Sequence, residues 1–204
     1  TSAQGSIAAL LQIRDHAAPT FQKQLDEIAR GVITMFSEGT DEGLFISNGL
    51  PALTDPGLST VIRVNPDVIS NEGGNPMLLR DGINTNYNVD NNASFSELLN
   101  GYAAAFEAPM TFDPAAAIDA SATILAFGTS SVGWVEQLRS AATTAGDDKS
   151  ALLGRTQEAL LNVTAVSLDE ELALLLDLEQ SYKASAKLVA AVDEMIAALL
   201  QAAG

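Results

Sequence analysis

The chain has 204 residues, with 26 Asp or Glu against 10 Lys or Arg, so its formal charge is −16. A charge of this size repels phosphate backbones, which argues against nucleic acid as a partner. No apolar stretch is as long as the roughly 18 residues that a transmembrane helix needs, and the amino end lacks the layout of a cleavable signal. The chain has no Cys, which excludes disulfides, thiolate metal sites and Cys nucleophiles.

Hydrophobic residues make up 47% of the chain and aromatic residues only 5%, so the apolar content is mostly Ala and Leu. Both residues enter helices at little cost, and the composition therefore predicts a mainly α fold. We expect long helices in an antiparallel bundle or coiled coil, with a small β-containing insertion.

The first predicted helix runs from Gly5 to about Ser37 and forms the first part of the helical core, residues 1–38. Pro19 lies inside it and removes a backbone donor, so a kink or restart is expected near Ala17. Its apolar residues recur at intervals of three and four, as on one face of a helix. These residues are Ile7, Leu11, Ala18, Phe21, Leu25, Ile28, Val32 and Met35.

Residues 39–92 are predicted to form the loop-rich insertion, because Gly, Pro, Asn and Asp concentrate there in turns. Leu58–Val64 has the β-branched content of a strand, and Phe45–Ile46 is its candidate partner. A small sheet or hairpin is therefore expected.

The loop at 84–92 also admits a second interpretation. Asn86, Asn88 and Asp90 alternate as in part of a calcium loop, and Glu97 stands where a last ligand could lie. Glu97 is equally explained as a helix-capping residue. A secreted calcium- or ligand-binding helical module is therefore the alternative function.

Residues 93–204 are predicted to return to the helical core. Ser94–Glu97 has the S-x-x-E pattern of a capping box, and the helix that follows should stop before Pro109. A further helix is expected after Pro114 as far as Ala145. A turn at Ala145–Asp148, a helix from Ser150 to about Asn162 and a break at Val163–Ser167 complete this prediction.

The final helix has the clearest pattern in the sequence. Ser167 is a candidate N-cap, and Asp169 and Glu170 favour the positive end of the helix that begins there. Apolar residues recur at intervals of seven and on both sides of that row, which widens the apolar surface beyond a two-helix seam. They could form an ordinary core within the chain or a contact with another subunit. The proposed contact residues are Leu168, Leu172, Leu175, Leu178, Tyr182, Val189, Val192, Ile196 and Leu199.

Two separated segments carry a resemblance to one family. Val166–Glu171, Leu178–Ala186 and Val192–Ile196 resemble the carboxyl-terminal signature of the flagellar hook-associated protein 1 family, the bacterial hook-filament junction proteins. Gly5–Asp15 and Gln24–Ala29 resemble the helix that leads into the variable insertion of the same family. Phe95–Leu99, Pro109–Pro114 and Ser150–Arg155 resemble its alphaproteobacterial branch. From this resemblance we expect the chain to be a carboxyl-side fragment without the family's amino-terminal helix.

The resemblance implies a structural subunit of the bacterial flagellum that packs helices between hook and filament. The implied partners are the hook protein, the second junction protein and copies of the chain itself. It also implies export from the cytoplasm without a cleaved signal, an extracellular place in the flagellum, and a cytoplasmic export chaperone that holds the carboxyl-terminal helix.

No catalytic or cofactor site is predicted. His16 is the only His, and no neighbouring residues mark a nucleophile or a set of metal ligands. Asp169 and Glu170 are adjacent on a helix and therefore point about 100° apart, so they do not form a catalytic pair. We expect a protein that is not an enzyme and needs no cofactor or metal.

Overall fold

The computed structural model describes residues 5–164 and 168–203. Helices account for 68% of the structure, and the sheets found among the described residues have two strands each. The predicted mainly α fold with small β elements is confirmed. The chain divides into two compact units, Thr1–Ala142 and Thr143–Gly204.

The regular elements of the first unit follow one another along the chain. Its helices are α1 (Ser6–Gln12), α2 (Ala18–Met35), α3 (Leu58–Val61), α4 (Leu78–Asp81), α5 (Glu97–Glu107) and the first part of α6 (Ile124–Thr164). Its strands are β1 (Phe45–Ile46), β2 (Arg63–Val64), β3 (Met110–Thr111) and β4 (Ser121–Ala122). Short 3₁₀ turns lie at Pro66–Val68, Ser70–Glu72 and Pro114–Ala116.

The first helical segment is continuous but irregular. A π-helical turn at Ile13–Ala17 joins α1 to α2, and Pro19 lies in the first turn of α2. Pro has no N–H to donate and its ring clashes with the preceding turn, and the irregular π-helical turn lies at that point. The irregularity predicted near Ala17 is present, but it is a π-helical turn within a continuous helix and not a restart.

Helix α2 lies between two apolar clusters of the first unit. The Phe112 cluster contains the stacked rings of Phe112 and Phe127, whose centroids are 3.9 Å apart, and the Leu58 cluster lies against another part of α2. The buried members of the Phe112 cluster are Met35, Phe112, Ala116, Ile124 and Phe127. The buried members of the Leu58 cluster are Ala29, Ile33 and Leu58.

The predicted apolar face of the first helix is partly wrong. Leu25 is exposed, whereas Gln24 and Glu27 are buried. Gln24 Nε2 donates to the carbonyl oxygen of Ala116 at 2.9 Å, and Ser131 Oγ donates to Gln24 Oε1 at 2.8 Å. A buried amide with both ends hydrogen-bonded replaces the expected apolar side chain at this point.

Two carboxylates of α2 hold distant loops. Asp26 accepts from the backbone N–H groups of Gly57 and Ser59, each at 2.9 Å. Glu27 accepts from the backbone N–H of Asp113 at 2.8 Å and forms an ion pair with Arg30. Asp26 and Glu27, two of the acidic residues of the chain, therefore stabilise its tertiary structure.

The predicted strand at Leu58–Val64 is mostly wrong. Residues Leu58–Val61 form α3, and only Arg63–Val64 is a strand, which pairs antiparallel with Phe45–Ile46 as predicted. Asp26 binds the free N–H groups at the start of α3, and this contact favours a helical turn over the β propensity of its residues.

Two predicted helix boundaries also differ from the structure. Helix α5 begins at Glu97 with Ser96 at its N-cap, so the predicted Ser94–Glu97 capping box is wrong, although the helix ends before Pro109 as expected. Helix α6 passes through the predicted turn at Ala145–Asp148 without interruption. A single Gly costs a helix only about 1 kcal/mol, and no Pro ends this one. The predicted break at Val163–Ser167 extends beyond the described residues.

Candidate assembly surface

Helix α7 (Leu168–Ala203) occupies most of the second unit, in a segment with no Gly or Pro. Asp169 and Glu170 lie in its first turn, where negative charges favour the positive end of the helix. At 1.5 Å per residue, its 36 residues span about 54 Å. Ser167, the predicted N-cap, lies outside the described residues, so its capping role stays a prediction.

The predicted contact residues lie exposed along the length of α7. Their exposed fractions run from 47% at Val192 to 78% at Tyr182, and Leu175 is 59% exposed. The side chain of Leu168 lies outside the described part. The exposed members are Leu172, Leu175, Leu178, Tyr182, Val189, Val192, Ile196 and Leu199.

The sequence reasoning missed one row of apolar residues on α7. Leu174, Leu188 and Met195 are all exposed, and each stands one position before a residue of the predicted seven-residue row. A count of sevens started at Leu174 instead of Leu175 would have found them. We call this row and the predicted contact residues together the apolar face of α7.

Another side of α7 is polar. Gln180, Lys187, Glu194 and Gln201 recur at intervals of seven, five positions after members of the predicted row. Five positions correspond to a rotation of about 140° around a helix. The polar row therefore lies away from the apolar face.

No described side chain of the second unit is buried. This holds for residues 143–164 of α6 and for residues 169–201 of α7. The exposed apolar residues of this part of α6 are Leu152, Leu153, Leu160, Leu161 and Val163. Monomeric soluble proteins rarely expose apolar surface on this scale, and such surfaces mark interaction sites.

The Asn-rich loop at 84–92 is closed by its own hydrogen bonds. Asn86 Oδ1 accepts from the backbone N–H of Asn88 at 3.0 Å, and Asn88 Oδ1 accepts from that of Asn92 at 2.7 Å. Asn88 Nδ2 donates to Asp81 Oδ1 at 2.7 Å. These contacts favour a structural role of the loop over calcium binding.

The described residues can be compared with the requirements of a metal site and of a membrane span. Among them, no three or more His, Cys, Asp or Glu side chains are grouped so that they could hold a metal ion. His16 is exposed in the π-helical turn, beside the exposed ion pair of Arg14 and Asp15. None of the described helices combines the length and apolar character that membrane crossing requires.

A comparison with protein families matches one segment of the chain. Residues 157–202 match the family described as flagellar basal body rod FlgEFG protein C-terminal. The match spans the end of α6 and nearly all of α7, and therefore includes the apolar face. It supports a structural flagellar axial protein without distinguishing its place along the axis. No curated protein and no solved structure matches the chain.

Proposed function

We propose that this protein is a non-enzymatic structural subunit of the bacterial flagellum that joins the hook to the filament by packing helices between subunits. The exposed apolar face of α7 carries the proposal, because it lies within the segment that matches a flagellar axial family. The hook-filament position rests on the resemblance of Gly5–Asp15 and Val166–Glu171 to the hook-associated protein 1 family.

The physical basis is burial of the apolar face on assembly. Complete burial of a Leu, Val or Ile side chain stabilises by about 1.5–3 kcal/mol, and the side chains of the apolar face are between half and three-quarters exposed. Association costs at least about 4 kcal/mol in lost translational and rotational freedom. Several side chains must therefore be buried together, which a continuous row along a long helix allows.

The proposed partners are copies of this chain, the hook protein and the second junction protein, at an extracellular site in the flagellum. Before export, a cytoplasmic chaperone would cover Leu168–Leu200 and keep the same surface from premature assembly. Both roles use the apolar face of α7, and neither requires catalysis or a cofactor.

The assembly role is tested by one substitution on each side of α7. Leu175→Asp places a carboxylate on the apolar face, where its burial against a partner is unfavourable. Gln180→Asp makes the matched change on the polar row. Cells with Leu175→Asp should lose filaments and motility, whereas cells with Gln180→Asp should swim. Normal filaments in both strains would contradict the proposal.

The position along the axis is tested by deletion of the gene. Electron microscopy of a deletion strain should show hooks without filaments if the protein forms the junction. Loss of both hooks and filaments would instead indicate a rod or hook component. That outcome would overturn the junction role and leave the flagellar assignment intact.

A further inference from the structure

Two Asn-Gly dipeptides of the chain have different backbone environments. Both Asn48 and Asn100 are exposed, so solvent reaches each side chain. An Asn followed by Gly can form a cyclic imide when the Gly backbone nitrogen bonds to the Asn Cγ. The nitrogen loses its proton, the side-chain amide leaves as ammonia, and water then opens the ring to Asp or isoaspartate. The step needs an available Gly N–H and a backbone that can rotate.

Asn48-Gly49 meets both requirements. The two residues form an exposed turn with φ of 45° and 95°. In the described part of the chain, neither the Asn48 side chain nor the Gly49 N–H makes a hydrogen bond. A Cβ placed on Gly49 would meet no atom within 4 Å, so the surrounding space is open. The turn is closed by a long bond of 3.4 Å from Leu50 N–H to the Ser47 carbonyl oxygen.

Asn100-Gly101 has neither an available Gly N–H nor a freely rotating backbone. Both residues lie inside α5, where backbone N–H groups bond to carbonyl oxygens four residues earlier. The Asn100 side chain also donates from Nδ2 to Ser96 Oγ at 3.3 Å. Imide formation here requires local opening of the helix.

Asp81-Gly82 could form the same imide from its carboxyl group with loss of water. Hydrogen bonds and an ion pair restrain this dipeptide too. The Gly82 N–H donates to the Leu78 carbonyl oxygen at 2.7 Å, and the Asp81 carboxylate is paired with Arg80.

We infer that Asn48 is a site of spontaneous deamidation, with water as the only co-reactant, and that Asn100 is protected by its helix. Conversion adds a negative charge next to Ser47, whose N–H already binds the carboxylate of Glu42. The isoaspartate product lengthens the backbone just before Leu50, which packs against the Leu58 cluster. The fraction of molecules converted at position 48 therefore increases with time, in the turn that supports the Leu58 cluster.

The test compares the two dipeptides within the same molecules. The full chain is incubated at mildly alkaline pH, digested, and mapped by mass spectrometry with separation of the Asn, Asp and isoaspartate peptides. Asn48 should convert at least about tenfold faster than Asn100, because a helix-opening free energy of about 1.4 kcal/mol already gives that ratio. In urea, where both backbones are free, the two rates should converge.

Two results would overturn the inference. Asn48 and Asn100 could convert at equal rates in the folded chain, which would mean that the backbone does not control the reaction. Asn48 could instead remain intact while Asn100 converts. The variant Asn48→Gln provides the baseline, because the faster mass change of the intact protein should disappear from it.

Discussion

Glu38 accepts a hydrogen bond of 2.8 Å from the backbone N–H of Asn84, a residue 46 positions later in the chain. The same carboxylate accepts from the N–H groups of Ile83 at 2.7 Å and Thr85 at 3.2 Å. Because Glu38 is only 5% exposed, water cannot replace these contacts. One buried side chain therefore satisfies three consecutive backbone donors and fixes the loop that follows α4.

The first prediction is that Glu38→Gln destabilises the first unit by about 2–3 kcal/mol, because one acceptor oxygen is replaced by a donor that faces backbone N–H groups. Urea unfolding can be followed by the fluorescence of Trp134, the only Trp of the chain. Glu72→Gln, at an exposed position, is the control and should change stability by less than about 0.5 kcal/mol. Equal changes in the free energy of unfolding for the two variants would show that the Glu38 hydrogen bonds do not stabilise the first unit.

The sequence predicts helices well where their signals are local. The apolar repeat of α7, the irregularity of the first helix near Ala17 and the end of α5 before Pro109 depend on residues within a turn or two of one another. The helical state of Leu58–Val61 was missed because Asp26, more than 30 residues earlier, binds its first N–H groups. Such a contact has no signature in a local window.

Burial of polar residues was missed for a related reason. Gln24 and Glu27 interrupt the apolar pattern of α2 and were not predicted to lie in the core. They are buried because a carbonyl oxygen at Ala116 and an N–H at Asp113 complete their hydrogen bonds. Those partners are identified only by the tertiary structure.

The candidate surface was predicted from spacing, but its exposure was not. The same row that includes Leu175 and Ile196 fits a core within the chain as well as a contact between subunits. Spacing alone does not separate these two arrangements, and the exposure of the row in the described structure supports the contact between subunits as a proposal. The row of Leu174 and Met195 was missed because the count of sevens began one residue later.

The second prediction concerns acid unfolding through Asp26. Burial raises the pKa of Asp26, but hydrogen bonds from Ser59, Gly57 and Gln22 together outweigh it and lower the pKa below its ordinary value of 3.8. A lowered pKa in the folded state means that the contribution to stability is present above pH 3.8 and is lost as the pH falls through the folded-state pKa.

Asp26→Asn should therefore lower the free energy of unfolding by about 1–3 kcal/mol at neutral pH. The free energies of the variant and of the unchanged protein should converge as the pH falls from 3.8 through the folded-state pKa of Asp26. Urea unfolding at a series of pH values measures both curves. Asp90→Asn, at an exposed position, is the matched control. A gap between the two proteins that stays constant down to the lowest pH would contradict the role of the Asp26 charge.

The third prediction compares two helical glycines. A Cβ on Gly31 would lie 2.6 Å from Cδ1 of the buried Ile124, whereas a Cβ on Gly133 would meet no atom within 4 Å. Gly133→Ala should stabilise α6 by about 1 kcal/mol through helix propensity. Gly31→Ala has the same gain in helix propensity, but overpacking against Ile124 should destabilise the protein by about 1–3 kcal/mol. Gly31→Ala should therefore be less stable than Gly133→Ala.

Ile124→Val removes the atom that the new methyl group meets, so it should make Gly31→Ala less costly. Thermal or urea unfolding of the two single variants and the double variant gives the coupling energy. A coupling energy near zero would mean that the two side chains do not meet in the folded protein.

The last prediction concerns the backbone of α7 in the isolated chain. Helices without a packed face owe little stability to tertiary contacts, and their amides exchange through local opening. In dilute solution, amides between Leu172 and Leu200 should exchange much faster than those between Ala29 and Met35, which lie in a buried part of α2. Hydrogen exchange followed by mass spectrometry on peptides compares the two segments directly.

Two other outcomes are informative. Protection that rises in α7 with protein concentration, and disappears in Leu175→Asp but not in Gln180→Asp, would assign self-association to the apolar face. Protection in α7 equal to that in α2 in the dilute monomer would show instead that the face is already covered, and the assembly surface would have to lie elsewhere.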